Sequence, residues 1–403
     1  MSANELRVIA PDSKKDREAL FDLVAKTFPC TGSYFGARDQ WCREHYFKQC
    51  NYDWAVTRVG YIGSEMVTHY GVWGYEMRIG SARVLTGGIG AVATHGEFRK
   101  RGLMAKTVWA SIEAMRAQGY GMSVLFGIEN FYHQFGYVRA WNETTYTTNL
   151  KDMPQEQPTV RLRSFKPSMR EDISALYNEE NALATGTAVR PTFLHYGFPD
   201  KRLGVLWTDE SGTTAGYVIV KLEGARLTHF DSAGDPEERM RILTFLARKH
   251  GCQEVHFPYI PFTSRLCKRV RQINHRVEAR SQRNGGPMIC TVSLVNCLTR
   301  MTDEFSRRLQ NSFADTWSGN LLIADAREKA MLVIDRGQVS VAPAAETAHS
   351  LQGGDQIAQL LIGSEDPRDI IEANGMTLTG DAAKLCDALF PIQHPVLEWP
   401  DRF

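Results

Sequence analysis

A mixed α/β (α+β) chain built from three successive units is predicted by three features of the sequence. The spacing of apolar residues switches between a period of two and a period near 3.6, the order of those switches recurs once, and two breaks rich in proline, glycine and polar residues, at 151–158 and 280–287, divide the chain. With 403 residues, 43% of them hydrophobic, the chain also exceeds what one core ordinarily supports. The units are placed at 1–152, 153–284 and 285–403.

The first unit opens with an alternating strand at 6–9 and a helix at 13–28, whose first turn Ser13 can cap. Stretches 56–59, 66–77 and 83–94 are rich in Val, Tyr, Trp and Thr and are punctuated by Gly60, Gly63 and Gly80, the pattern of consecutive antiparallel strands. From Gly102 the period changes: Met104, Val108, Ile112 and Met115 form one buried stripe of a helix that stops at Gly119. A buried strand at 122–126, a brief helix at 130–135 and a strand from Val138 follow. The second unit repeats this order, with a strand at 160–165, a helix at 168–184, strands at 203–207, 215–222 and 226–232, a helix at 236–250 and a strand at 254–258. It has the outline of a degenerate duplication. The third unit has a helix near 302–312 and several short strands, and it ends in an extended tail carrying Pro391, Pro395 and Pro400.

Composition excludes several classes of function. Forty-seven basic against 46 acidic residues give a net charge of +1, which supplies no field for nucleic acid or an anionic membrane. Any anion must be held locally. Neither a leader of basic then apolar residues nor an uncharged stretch long enough to span a bilayer is present, so a cytoplasmic protein is expected. The eight cysteines include no CxxC pair and the 11 histidines no HExxH, so no metal is expected and the thiols read as reduced and mostly buried.

One segment carries chemistry. The strand Gly87-Gly-Ile-Gly-Ala-Val-Ala-Thr94 runs into His95-Gly-Glu-Phe-Arg-Lys-Arg-Gly-Leu-Met104, which places three consecutive cations and a glycine at the mouth of a helix. Exposed N–H groups and the positive helix end favour an anion, Gly102 lets backbone approach it, and Arg99, Lys100 and Arg101 add charge. Taken alone, the same residues also fit a solvated basic turn. A second cluster, Glu129-Asn-Phe-Tyr-His-Gln-Phe-Gly-Tyr137, follows in order. Tyr132 in it is either a proton donor, since a phenol stays protonated at neutral pH, or an aromatic packed under Gly136.

Together these segments resemble the signatures of the Gcn5-related N-acetyltransferases (GNAT). Arg99-Lys-Arg-Gly102-Leu-Met104 matches the Arg/Gln-x-x-Gly-x-Gly/Ala pattern except at Met104, where the family has a small residue. The second cluster is similar to the family's Asn-containing helix with its Tyr-x-x-x-Gly-Phe ending. The resemblance implies acetyl-CoA as co-substrate, held by the backbone of Ala91, Val92, Ala93 and Thr94 on the pantetheine arm and by Arg99, Lys100, Arg101, Gly102 and Leu103 on the pyrophosphate. It adds Asn130 as a further contact and makes Tyr132 the acid that reprotonates departing CoA.

Over the whole chain the three-unit order resembles the enhanced intracellular survival (Eis) acetyltransferases: tandem GNAT-like domains with a C-terminal sterol-carrier-protein-like α+β domain. In that family the last residue enters the active site and its carboxylate serves as base. The corresponding end here is Glu398-Trp-Pro-Asp-Arg-Phe403, and Phe403 could equally be only an anchor for the domain. The resemblance implies a homo-oligomer, commonly hexameric in that family, and an amine acceptor that is a small polyamine or aminoglycoside-like molecule or a lysine side chain. The second unit has Pro236 and two glutamates where a cradle would lie, so one CoA per chain is expected. Glu129, His95 and His133 are lesser acid–base candidates, and Tyr34, Phe35 and Trp41 lesser pocket aromatics. The contrasting functions are a non-catalytic lipid- or ligand-binding protein using the third domain and a protein-lysine acetyltransferase with a narrow peptide groove.

Overall fold

Ser13 and Asp16 close a capping box, with Asp16 N–H bonded to Ser13 Oγ at 3.0 Å and Ser13 N–H to Asp16 Oδ2 at 3.2 Å, and they start the first helix, Lys14–Thr27. In the computed structural model, which describes residues 5–28, 51–165, 169–191 and 202–403, this helix buries Leu20, Leu23 and Val24 against the first sheet. Tyr34, Phe35 and Trp41 lie outside the described residues, as do Cys30, Cys42 and Cys50. The first sheet is built from β1 (Arg7–Ile9), β2 (Arg58–Ile62), β3 (Glu65–Ile79), β4 (Ala82–Thr94), β5 (Met122–Gly127) and β6 (Val138–Arg139), with the helix Leu103–Ala117 crossing between β4 and β5. That helix lays the expected stripe of Met104, Val108, Ile112 and Met115 on one face of the sheet.

The second sheet contains β7 (Glu143–Asn149), β8 (Arg163–Ser164), β9 (Arg202–Thr208), β10 (Thr214–Glu223), β11 (Arg226–Ala233), β12 (Glu254–Pro258) and β13 (Arg276–Arg280), and β14 (Gly286–Thr291) follows. The strand expected at 160–165 is thus only two residues long, an exposed edge that among the described residues pairs with β9 alone. The orders β1-β2-β3-β4-β5-β14-β6 and β8-β9-β10-β11-β12-β7-β13 match position for position, as a duplication requires. The penultimate positions are exchanged. β7 leaves the first unit to lie between β12 and β13, and β14 returns to lie between β5 and β6. The sheets therefore interlock across the sequence breaks, because each unit closes with a strand that lies beyond the other's break.

Beyond β14 come the helices Leu294–Arg300 and Thr302–Gln310 and a five-stranded sheet, β15 (Gly319–Ala324) to β19 (Thr377–Thr379), in the order β17-β16-β15-β18-β19. Its core is continuous with the first unit, one cluster joining Trp73 and Val84 to Leu298, Phe305, Leu332 and Leu361. Glu304 fastens the two at the β3–β4 turn, accepting from Ser81 N–H at 3.0 Å. Burial acts to raise the Glu304 carboxyl, but Arg307, Arg308 and Ser81 outweigh it and hold it at about 2. The described cysteines, Cys252, Cys267, Cys290, Cys297 and Cys386, are free and buried. No helix among the described residues is long and apolar enough to cross a membrane.

Candidate active site

β4 and β5 run parallel only from Thr86 opposite Met122 to Ile89 opposite Leu125; from Gly90 onward, among the described residues, β4 has no strand partner on that side. The parting coincides with a bulge. The β3–β4 register shifts between His69 and Gly71, and Ala91 takes φ +49°. A buried pair fixes it: His69 Nδ1 lies 2.8 Å from the Ala91 carbonyl and Tyr52 Oη 2.7 Å from His69 Nε2. Burial lowers the His69 pKa to about 4, so a neutral ring donates to Ala91 and accepts from Tyr52. Gly71 is required beside it, because a Cβ there would stand 2.8 Å from His69 Cε1 and 2.9 Å from the Gly90 carbonyl. No motif in the sequence marked His69 or Tyr52.

Alternation along the freed stretch turns Ala91 and Ala93 into the core and Val92 and Thr94 into a cleft of about 540 Å³. Its floor is the predicted cradle, with Arg99, Lys100, Arg101, Gly102 and Leu103 all lining it. Gly102, at φ +71°, is the N-cap of the helix Leu103–Ala117 and supplies no side-chain cap, so among the described residues the first N–H groups and the positive dipole end are left open to the cleft. Arg99 Nε bonds the Thr94 carbonyl at 3.2 Å, and the Arg101 guanidinium sits 5.1 Å over the Phe98 ring. Phe98, Met104, Ile128 and Phe131 also line it without having been singled out as site residues, and Met104 fills the position where the signature has a small residue.

Tyr132 begins the short turn Tyr132–Phe135 and also lines the cleft. Its ring covers Gly127, where a Cβ would fall 2.5 Å from a ring carbon, and it meets Phe131 edge-on at 4.9 Å. Burial raises its pKa, which holds the phenol protonated. Asn130 adopts φ +59°, its N–H bonds the Asn284 carbonyl at 2.8 Å, and its Oδ1 accepts from Asn284 at 3.2 Å. The left-handed turn takes its side chain to the β13–β14 connection, and it is not among the cleft residues. Glu129 accepts from Gln282 at 3.2 Å in the same connection. His95 lies 3.6 Å from Glu65, and His133 lines a separate polar cleft with Arg139 and Asp355, so neither histidine lines the cradle cleft.

Phe403 lies on the other face of the first sheet. Its ring rests on Gly88, between Tyr75 at 6.1 Å and Phe126 at 5.8 Å. Gly87, one residue before, faces Met115 of the helix, so the parity of β4 puts Phe403 and the cradle on opposite sides of the parting strands. In the second unit the matching helix, Pro236–Lys249, is closed by its own residues: Asp235 accepts from Glu238 N–H at 2.9 Å, and Glu237 and Glu238 occupy the first turn.

Residues 9–140 match the family of acetyltransferase (GNAT) domains. No curated protein matches the chain by sequence. Among solved structures the chain is similar to a GCN5-related N-acetyltransferase from Anabaena variabilis, with 17% identity over 99% of this chain and 100% of that one and a TM-score of 0.78. It is similar also to a GCN5-related N-acetyltransferase from Kribbella flavida, at 18% identity, 100% and 99% coverage and a TM-score of 0.77. For Eis1 from Mycobacterium abscessus the identity is 15%, the coverage 99% and 100%, and the TM-score 0.69. At these identities the likeness is one of fold. The architecture is thus a tandem GNAT-like α/β fold with a C-terminal domain, and its first unit carries the acetyltransferase match.

Proposed function

We propose that the chain is an acetyl-CoA-dependent N-acetyltransferase of the Eis type that acetylates an amine by direct transfer. The observation that supports this most is the parting of β4 and β5, with an uncapped, cation-flanked helix end and Tyr132 on one face and Phe403 on the other. The exposed edge of β4 from Gly90 to Thr94 would bond the pantetheine amides, and the Gly102 cradle with Arg99, Lys100 and Arg101 would hold the pyrophosphate. Bound there, acetyl-CoA supplies an acetyl thioester at the gap.

In this reading the acceptor amine enters from the Phe403 face. The Phe403 carboxylate takes the amine proton, the nitrogen bonds to the acetyl carbon, and the carbon–sulfur bond breaks. N–H groups near Val92 stabilise charge on the carbonyl oxygen, and Tyr132 gives its proton to the sulfur. The closed helix end of the second unit supports one CoA per chain. We further assign the acceptor to small polyamines, aminoglycoside-like molecules or lysine side chains, the third domain to a sterol-carrier-like fold, and the working state to a homo-oligomer in the cytoplasm.

The test is thiol release from acetyl-CoA across a panel of small amines and lysine peptides, comparing the intact chain with Tyr132→Phe and with a form extended beyond Phe403. Both variants are expected to lose about a hundredfold or more in kcat, the usual scale of general acid–base catalysis. Full activity of the extended form would move the base elsewhere, and absence of both turnover and CoA binding would favour a ligand carrier.

A further inference from the structure

The second sheet parts in the same way as the first. Its parallel ladder runs from Arg226 opposite Glu254 to Thr228 opposite His256 and stops, while β11 continues to Ala233. There the chain's own C-terminal segment covers the parting. Asp231, on the free stretch of β11, lies 2.6 Å from Nη1 of Arg190. The other side of that guanidinium grips Asp401 in a fork, Nε to Oδ1 at 3.1 Å and Nη2 to Oδ2 at 2.9 Å, and Tyr177 backs it at 3.3 Å. The side chains of Arg190, Asp231 and Asp401 are 1%, 4% and 0% exposed.

The neighbouring residues of the tail are held as well. Tyr259, just past β12, stacks on Trp399 at 6.2 Å and carries the Arg402 guanidinium at 3.8 Å, and Arg402 bonds Glu143 at 2.8 Å. The segment bearing Arg190 is in turn hydrogen-bonded to β3, from Val189 N–H to Glu76 at 2.8 Å and from Arg78 N–H to Thr187 at 2.9 Å, next to the Tyr75 that touches Phe403. A buried ion triad contributes little net stability over an apolar cluster of the same volume, but it fixes geometry through its bidentate fork.

We propose that the second unit positions the catalytic end of the chain: Arg190, fixed by Asp231, holds Asp401 and thereby sets Phe403 over Gly88 in the first unit. The inference rests on the reading of Phe403 as base. Arg190 and Asp401 are positioning residues, and the loss of the cradle in the second unit is explained by the parting's use as a socket for the tail.

The experiment compares Asp401→Asn, which keeps the shape and leaves Arg190 paired with Asp231, with Arg190→Lys, which keeps the charge but not the fork, and with deletion of Phe403. Each is measured for kcat, for KM of acetyl-CoA and for the rate at which a carboxypeptidase releases the last residue. For the two substitutions a fall in kcat of about 10- to 100-fold is expected, since a displacement near 1 Å has that effect. KM for acetyl-CoA should stay within about twofold and Phe403 should be released faster. If the deletion abolishes turnover while both substitutions keep wild-type kcat and wild-type resistance to release, the positioning role is overturned and the base reading survives. If the deletion leaves kcat intact, the base reading fails and the catalytic role of the clamp with it. Equal losses in kcat and acetyl-CoA binding would make the pair merely structural, which also overturns the proposal.

Discussion

Replacing Gly88 by alanine tests the docking of Phe403 with a single methyl group. A Cβ at that position would lie 2.2, 2.4 and 2.7 Å from three atoms of the Phe403 ring. Ordinary carbon contacts are about 3.5 Å or longer, so the ring must retreat by roughly 1.3 Å. It can do so cheaply, because the ring is only partly buried and β4 backbone accepts alanine. Loss of part of one aromatic contact costs at most about 2 kcal/mol, offset in part by the stiffer unfolded chain. Catalysis is less tolerant: a shift near 1 Å in a reacting group costs about a hundredfold, or roughly 2.7 kcal/mol of barrier. Thiol release under saturating amine should therefore fall by 10- to 100-fold on the order of these estimates, with KM for acetyl-CoA little changed and thermal unfolding close to wild type. A folded Gly88→Ala variant with wild-type kcat would refute the placement of the Phe403 carboxylate in the reaction.

The cradle and the buried tail give two further expectations. Among the described residues Gly102→Ala meets no atom within 4 Å, so its penalty there is the φ of +71°, roughly 1–2 kcal/mol for a residue with a Cβ. KM for acetyl-CoA should rise by about 5- to 30-fold with a smaller change in kcat, and an unchanged KM would place the phosphates elsewhere. Glu398 is buried beside Asp231, Arg190, Asp401 and Tyr177. Burial and then Asp231, opposed by Arg190, push its carboxyl up from an ordinary 4.5 to about 8. Folding thus takes up a proton between those values, and the stability contributed by this group declines as pH rises from about 4.5 to 8 and then levels off. Glu398→Gln removes that slope, so its Tm relative to wild type should climb from pH 5 to pH 8. A constant difference would show that Glu398 is not held neutral in the fold.

Much of this was legible in the residues because it depends on neighbours along the chain. The cap at Ser13, the stripe from Met104 to Met115 and the cation run ending at Gly102 are local, and the structure places each where its period or its turn chemistry demands. The repeated order of strands and helices also announced the duplication. The left-handed turn at Asn130, which brings its side chain to Asn284, is not reported by its position in a motif.

Tertiary structure decided what depends on distant partners. That β7 and β14 change places could not be read from strands whose local patterns suit either sheet. The lock of Tyr52 and His69 on Ala91 joins residues 17 and 22 positions apart. Arg190 meets Asp401 across 211 positions, and Phe403 meets Gly88 from the far end of the chain. Sequence by itself determined the run of three cations, the glycine and the helix that starts beyond it, because these act through their own backbone and charge. Only folding could bring the end of the chain to the opposite face of the parting strands, because burial and ion pairing between remote segments leave no periodic trace.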